Sequence, residues 1–155
     1  MFGRMYTVVI AGVASPAAAF DLFELNPTAA KPIRLRRLRI AQTTEPTSEE
    51  EMLGITIIRA QSTSGSGGSA TTPQPLNSSD AAAGFTAETM NTTKATGGTP
   101  VTLMEDVTNT RVGYDMAFAP EEAPESVNAE RLVVTCTAPA DAVTFRATAW
   151  VEELG

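Results

Sequence analysis

Short runs in which apolar and polar residues alternate recur along this chain, and clusters of Gly, Pro, Ser, Asn and Asp separate them. Alternation with a period of two is typical of a half-buried β-strand. The runs cover residues 6–13, 20–25, 31–42, 52–61, 85–92, 101–107, 111–119, 131–137 and 142–153. They predict an all-β fold: an antiparallel β-sandwich of eight to nine strands with long surface loops, arranged like a jelly roll.

The segments between the runs carry predictions of their own. Residues 62–79 are rich in Ser, Gly, Thr and Pro and predict a long, flexible surface loop. The tight Pro-Ala-Asp connection at 139–141 predicts that the last two strands form a hairpin. Asp80 and Gly84 could flank one helical turn, and residues 1–5 could form an N-terminal arm. The first run suits a strand because it is rich in Val and Ile, with a signal peptide as the alternative.

The third run is unusually basic, because five of the chain's 11 Lys and Arg residues fall within residues 31–39. Its apolar positions change phase between Arg36 and Arg37. A β-bulge at that point would bring all of them to one face of the strand. The opposite face would then present one outward row of arginines, since a strand does not bury arginines without partners. The row consists of Arg34, Arg36, Arg37 and Arg39.

Two interpretations of this row stay open. It is either a solvated strand face whose arginines pair with cross-strand acids, or a docking surface for an acidic protein partner. Trp150 has the opposite parity to Phe145 and Val151 in the last run. We therefore take Trp150 as a candidate for a second buried face or a contact between subunits, with a sugar-stacking platform as the alternative.

Composition narrows the function further. The chain has no histidine and a net charge of -7, which argues against a dedicated binder of nucleic acid or anionic membrane. No stretch approaches the roughly 20 apolar residues of a membrane span. Cys136 shares parity with Leu132 and Val134 and is expected in the core. The sequence therefore predicts one β-sandwich domain over residues 1–155, with no catalytic residues, no metal site and no cofactor.

Short motifs along nearly the whole chain resemble a family of virion proteins of tailed phages and prophages. They lie at residues 6–12, 20–25, 31–32, 49–52, 57–59, 62–69, 80–84, 131–134 and 150–153. The resemblance implies a structural protein, with head decoration (cement) as the leading role. It further implies a β-rich homotrimer on the capsid surface with the major capsid protein as its partner, and it carries over no catalytic residues.

Two other functions remain as alternatives. The first is a carbohydrate- or receptor-binding β-sandwich on a phage fibre or tail, although sugar sites favour exposed aromatic rings and aromatics make up only 6% of the chain. The second is a hydrolase that uses paired carboxylates, but nothing in the sequence selects a pair.

Overall fold

A computed structural model describes residues 3–28, 30–44 and 52–155, and within these ranges it contains twelve β-strands and no helix. In chain order the strands are β1 (Arg4–Ala14), β2 (Phe20–Asn26), β3 (Ile33–Gln42), β4 (Met52–Gln61), β5 (Ser69–Thr71), β6 (Gln74–Pro75), β7 (Thr86–Asn91), β8 (Val101–Asn109), β9 (Tyr114–Ala117), β10 (Glu125–Ser126), β11 (Arg131–Cys136) and β12 (Thr144–Glu153). Each of the nine predicted runs overlaps one strand, although β1, β2 and β8 extend beyond their runs. The predicted count was too low because β5, β6 and β10 are too short to show an alternating pattern.

The strands form two six-stranded antiparallel sheets, which confirms the predicted sandwich. In the first sheet the order is β10–β3–β12–β1–β6, and β9 also pairs with β3. In the second sheet the order is β5–β7–β2–β11–β4–β8. The longer strands give β1–β12–β3–β9 facing β2–β11–β4–β8, which is the strand order of a jelly roll.

The hairpin predicted for the last two strands is wrong. β11 pairs with β2 and β4 in the second sheet, whereas β12 pairs with β1 and β3 in the first. Each strand has a buried apolar row, as at Val134 and Val151, and such rows pack face to face across the core. The connection through residues 139–141 therefore crosses from one sheet to the other instead of reversing within one.

One hydrophobic cluster fills the space between the sheets. Phe20 of the second sheet meets Phe145 of the first, with ring centroids 5.7 Å apart. Cys136 is buried in the same cluster, as its parity predicted. Burying a Leu, Ile or Phe side chain fully contributes about 1.5–3 kcal/mol, so this shared core is what holds the two sheets together.

Two stretches of the connection between β4 and β8, residues 62–66 and 93–96, form a segment that lies over the outer face of β2 in the second sheet. The connection is more structured than the long surface loop predicted for residues 62–79, since that stretch contains β5 and β6. Backbone bridges join Thr63 to Thr96 and Ser66 to Thr93. Asp21 and Glu24, whose side chains leave the outer face of β2, are only 1% and 2% exposed beneath it. The chain itself therefore covers this face at β2, whereas the outer side chains of β8, such as Val107, are exposed.

Smaller predictions at the chain's margins are revised. Arg4 and Met5, assigned to an N-terminal arm, belong to β1 and pair with the end of β12. The helical turn proposed after Asp80 is absent, and Asp80 instead closes a turn by donating its backbone N–H to the Asn77 carbonyl. Residues 1–2 of the arm and the acidic run 49–51 lie outside the described residues.

Candidate functional site

The outer face of the first sheet carries all five predicted site residues. β3 contributes its arginines and β12 contributes Trp150. The register between these strands shifts so that Trp150 lies opposite Arg37 and Val151 lies opposite Leu35, which leaves Arg36 without a direct partner. This is the predicted bulge. Its effect is also as predicted, because Ile33, Leu35, Leu38 and Ile40 are all buried whereas none of the four arginines is.

Three arginines of the row are paired within the protein. Arg34 Nε donates to Glu125 Oε2 at 2.6 Å, and Arg36 Nη1 donates to Glu152 Oε2 at 2.7 Å. Arg37 binds Asp115 with two parallel hydrogen bonds of 2.7 and 2.6 Å. For these three, the structure supports the interpretation of a solvated strand face with cross-strand acids.

The hydrogen-bonded pair of Arg37 and Asp115 also shifts the pKa values of both side chains. The hydrogen bond from Arg37 lowers the pKa of the Asp115 carboxyl below its ordinary value, and the charges of Arg37 and Arg39 act in the same direction. The same hydrogen bond raises the pKa of Arg37. Asp115 therefore stays ionised, and Arg37 stays bound to it, well into the acidic range.

Trp150 is half-buried and covered by this pair. The guanidinium carbon of Arg37 lies over its ring, 5.1 Å from the centroid, within the range of a cation–π contact. The Asp115 carboxylate accepts hydrogen bonds from Nε and Nη2 of this guanidinium and so holds it in place. A sugar-stacking platform needs a bare aromatic face, and here a bound cation covers it. This geometry weakens the sugar-binding interpretation of Trp150.

The fourth arginine of the row is different. Arg39 is exposed and makes no hydrogen bond or ion pair with any described residue. On the neighbouring strand β12, Arg146 is also exposed and also lacks such a partner within the described ranges. Arg39 pairs with Thr148 and Arg146 pairs with Ala41, so the two arginines are diagonal neighbours on one face of the sheet.

The surface around these two arginines is shallow and built of small side chains. They flank a groove of about 330 Å³. The outward residues that line it are Val9, Ala11, Arg39, Ala41, Arg146 and Thr148. Val9 is 48% exposed and adds apolar area to this surface. We call these six residues the arginine face; they combine a flat, partly apolar surface with two arginines that form no ion pair with a described acid.

Sequence reasoning found Arg39 but missed Arg146. The signal was present, because Arg146 and Thr148 share the outward parity of Trp150 on β12. It was overlooked because Arg146 stands alone in its run, whereas the β3 arginines form a cluster. Only the pairing of β12 with β3 places Arg146 beside Arg39.

The described residues offer little for covalent or metal chemistry. Burial, with a smaller contribution from the Asp21 charge, raises the pKa of the Cys136 thiol to about 12, so the thiol is protonated near neutral pH and is a poor nucleophile. No three Cys, Asp or Glu side chains in the described ranges are grouped so as to hold a metal ion. Nor does any described segment form a helix long and apolar enough to cross a membrane.

Comparison with known proteins adds little to this picture. No model of a known protein family matches the chain, and no curated protein matches it. A solved structure titled "Structure of infectious bursal disease virus Gx strain" is 15% identical, with a TM-score of 0.20, over 99% of this chain and 41% of the other. This chain thus spans less than half of that one. A TM-score of 0.20 lies below the level of a shared fold, so the likeness carries no weight for fold or function.

Proposed function

We propose that this protein is a non-enzymatic virion structural protein of a tailed phage. In this proposal it decorates the outer surface of the head and stabilises contacts between major capsid subunits. The observation that carries the proposal is the arginine face, an open sheet face with two arginines that have no ion-pair partner among the described residues, on a jelly roll whose other outer face is partly covered by its own chain. The resemblance of its motifs to phage virion proteins supports the same role.

The physical basis is selective binding to the assembled lattice. A protein that contacts two neighbouring subunits binds the assembled head better than separate subunits, and mass action then stabilises the head. Arginine suits such contacts because its planar guanidinium forms bidentate hydrogen bonds with carboxylates and is weakly hydrated. The small side chains around Arg39 and Arg146 let a flat acidic surface approach closely. Docking therefore requires an acidic patch on the major capsid protein.

The test is co-sedimentation of the protein with undecorated heads assembled from the major capsid protein of the same virus. We expect the wild type to bind heads and not free subunits, and Arg39→Glu or Arg146→Glu to weaken binding at least tenfold. Lys94→Glu is the matched control, because it makes the same charge change at an exposed position of the segment that covers the second sheet. Wild type that does not bind heads would overturn the proposed function. If all three variants bind heads as tightly as the wild type, the arginine face is not the docking surface.

We further propose that the protein acts as a homotrimer, since a symmetric oligomer multiplies modest contacts through avidity. Light scattering of the purified chain distinguishes the states. A mass near three times 16.3 kDa supports a preformed clamp. A monomer over the whole concentration range would contradict the trimer and leave assembly on the head itself as the route to multivalency.

A further inference from the structure

A second surface, unrelated to the arginine face, lies at the open side of the sandwich. Here β8 ends the second sheet, and β9 and β10 lie at the edge of the first. Between them is a cleft of about 770 Å³, the size of an ordinary peptide or ligand site. Its apolar lining includes Leu103, Met104, Met116 and Phe118, all of them only partly buried.

The strand that borders this cleft has an open edge. Gly54, on the partner strand β4, donates its N–H to Thr137 Oγ1 at 2.8 Å and accepts the Thr137 N–H at 3.0 Å. Both polar groups of Gly54 thus point away from β8. Val107 lies opposite Gly54, so its own backbone groups point away from β4 and out of the sheet.

Antiparallel pairing alternates, so Glu105, two residues from Val107, also turns its backbone N–H and C=O outward. The outward backbone groups of Val107 and Glu105 differ in their hydrogen-bond partners. The Val107 N–H is bonded to the carboxylate of Asp106 at 2.8 Å, and Tyr114 donates to the other oxygen of that carboxylate at 3.0 Å. This end of the edge is therefore closed by a side chain, as protein edges often are. No described residue bonds the outward groups of Glu105.

The charge around the cleft is negative once internal pairs are removed. Arg34 is bonded to Glu125, and Arg59 lies 4.0 Å from Glu130. Glu121 and Glu122 are exposed on the rim, and their side chains make no hydrogen bond or ion pair within the described ranges. The uncompensated charge of this cleft is thus opposite in sign to that of the arginine face.

We propose that this cleft binds an extended, cationic segment of a partner protein, which adds as a strand to the edge of β8 at Glu105, beside the bulge at Leu103. In an added strand, alternate side chains point to opposite faces. Apolar side chains of the segment enter the cleft and contact Leu103, Met104 and Phe118. Lysine or arginine side chains near the rim meet Glu121 and Glu122. Backbone hydrogen bonds to Glu105 fix the register.

The first experiment measures binding of fluorescent synthetic peptides of about eight residues, an ordinary strand length, by anisotropy at low salt. One peptide alternates lysine with valine, and its control alternates glutamate with valine. We expect only the lysine peptide to bind the wild type. The double variant Glu121→Lys/Glu122→Lys should no longer bind the lysine peptide and should bind the glutamate peptide instead. Equal binding of both peptides to the wild type, or no binding of either, overturns the proposal.

The second experiment separates strand addition from simple charge attraction. Glu105→Pro removes the outward N–H without touching the pairing with β4, since proline is tolerated where the N–H faces out of an edge strand. Glu105→Ala removes only the carboxylate. We expect Glu105→Pro to bind the lysine peptide about tenfold more weakly than Glu105→Ala does. Equal affinities for the two variants contradict strand addition.

A further probe keeps the test decisive if Glu105→Pro does not fold. A lysine–valine peptide with N-methylated backbone amides on its pairing edge retains its charge but lacks donors for β8. It should bind the wild type at least tenfold more weakly than the parent peptide, and equal binding contradicts the proposal. A protein dimer that the lysine peptide does not dissociate, but that Glu105→Pro abolishes, would assign this edge to a second copy of the chain and overturn the peptide proposal.

Discussion

Arg131 Nε donates to Glu24 Oε1 at 2.7 Å, and this ion pair joins β11 to β2 beneath the segment that covers the second sheet. The Glu24 side chain is 2% exposed and that of Arg131 is 18% exposed. Glu24 also accepts hydrogen bonds from Ser64 Oγ, the Gly65 N–H and Asn91 Nδ2. The Glu24 carboxylate therefore links β2 to β11 within the sheet and also holds the covering segment onto β2.

The first prediction concerns this carboxylate. Glu24→Ala removes the carboxylate that Arg131 Nε and the Gly65 N–H bind, whereas Ser64 and Asn91 keep a bond to Glu88. Removing one member of a buried pair typically costs about 3–5 kcal/mol of unfolding free energy. Denaturant unfolding measures the loss. Glu121→Ala, at an exposed acid, is the control and should change stability by less than about 0.5 kcal/mol. A loss below about 1 kcal/mol for Glu24→Ala would show that the covering segment is held by other contacts.

The second prediction concerns Asp21, which is buried with no hydrogen bond to its Oδ1 in the described structure. Burial, the largest cause, raises the pKa of Asp21 above 3.8. Between 3.8 and that higher value the folded state holds more protons than the unfolded state, so this group's contribution to stability falls as pH rises and stays low at neutral pH. Asp21→Asn removes the buried charge but keeps an acceptor for the Ala95 N–H, which Asp21 now binds at 2.6 Å.

Thermal unfolding as a function of pH checks this. Asp21→Asn should unfold at a higher temperature than the wild type at pH 7, and the difference should shrink as the pH falls towards 3.8. Glu122→Gln makes the same charge change at an exposed position and should show no such trend. A lower unfolding temperature for Asp21→Asn at neutral pH would mean that the ionised carboxylate is better accommodated than its burial indicates.

The third prediction uses Trp150, the chain's one tryptophan, as a reporter. Arg37→Ala uncovers the indole ring, so its fluorescence should shift to longer wavelength and become more accessible to iodide quenching. Asp115→Asn should have a smaller effect of the same sign, because Arg37 loses its anchor. Arg39→Ala is the control and should leave the spectrum unchanged. Identical quenching in wild type and Arg37→Ala would rule out the stacked arrangement in solution.

The same reporter gives a pH prediction. The pKa of Asp115 is lowered below 3.8, so the pair is intact above that value and is lost only as the pH falls through the lower, folded-state pKa. The emission of wild-type Trp150 should therefore stay constant from neutral pH down to about 3.8 while the protein remains folded. A transition between pH 5 and 6 would contradict the lowered pKa.

The fourth prediction compares two glycines with positive φ. Gly98 has φ of +72°, and a Cβ there would lie 2.3 Å from the Ala60 carbonyl oxygen. Gly12, at the bulge of β1, has φ of +76° but its nearest atom would be 3.7 Å away. Gly12→Ala should cost only the left-handed strain of about 1–2 kcal/mol, and Gly98→Ala should cost at least about 1 kcal/mol more because the backbone must move. Equal losses in denaturant unfolding would contradict the close approach at Gly98.

The strands and their faces could be predicted because the alternating pattern is local. The bulge at Arg36 is an example, since burying Ile33 and Leu38 on the same face of one strand requires a phase shift wherever that strand lies in the fold. The burial of Cys136 followed from the same parity argument. Neither prediction needed to know which strand lies beside which.

The hairpin prediction failed for a reason that the sequence does not contain. A short connection between two apolar strands is compatible with a reversal within one sheet or a crossing between two. Which one occurs depends on what else can pair with β11, and β2 and β4 take both of its edges. That outcome is a property of the assembled jelly roll.

The sequence by itself determined that the protein is built of strands, where nine of the twelve strands run, and that the arginines of β3 point outward, because local sterics and burial of apolar side chains set these features. Only the tertiary structure decided which of those arginines have an acidic partner within the described ranges. The acids that bind Arg34, Arg36 and Arg37 are 91, 116 and 78 residues away along the chain. Arg39 and Arg146, and the acidic cleft beside β8, likewise arise from strands brought together by the shared core, since long-range pairing leaves no periodic trace in the sequence.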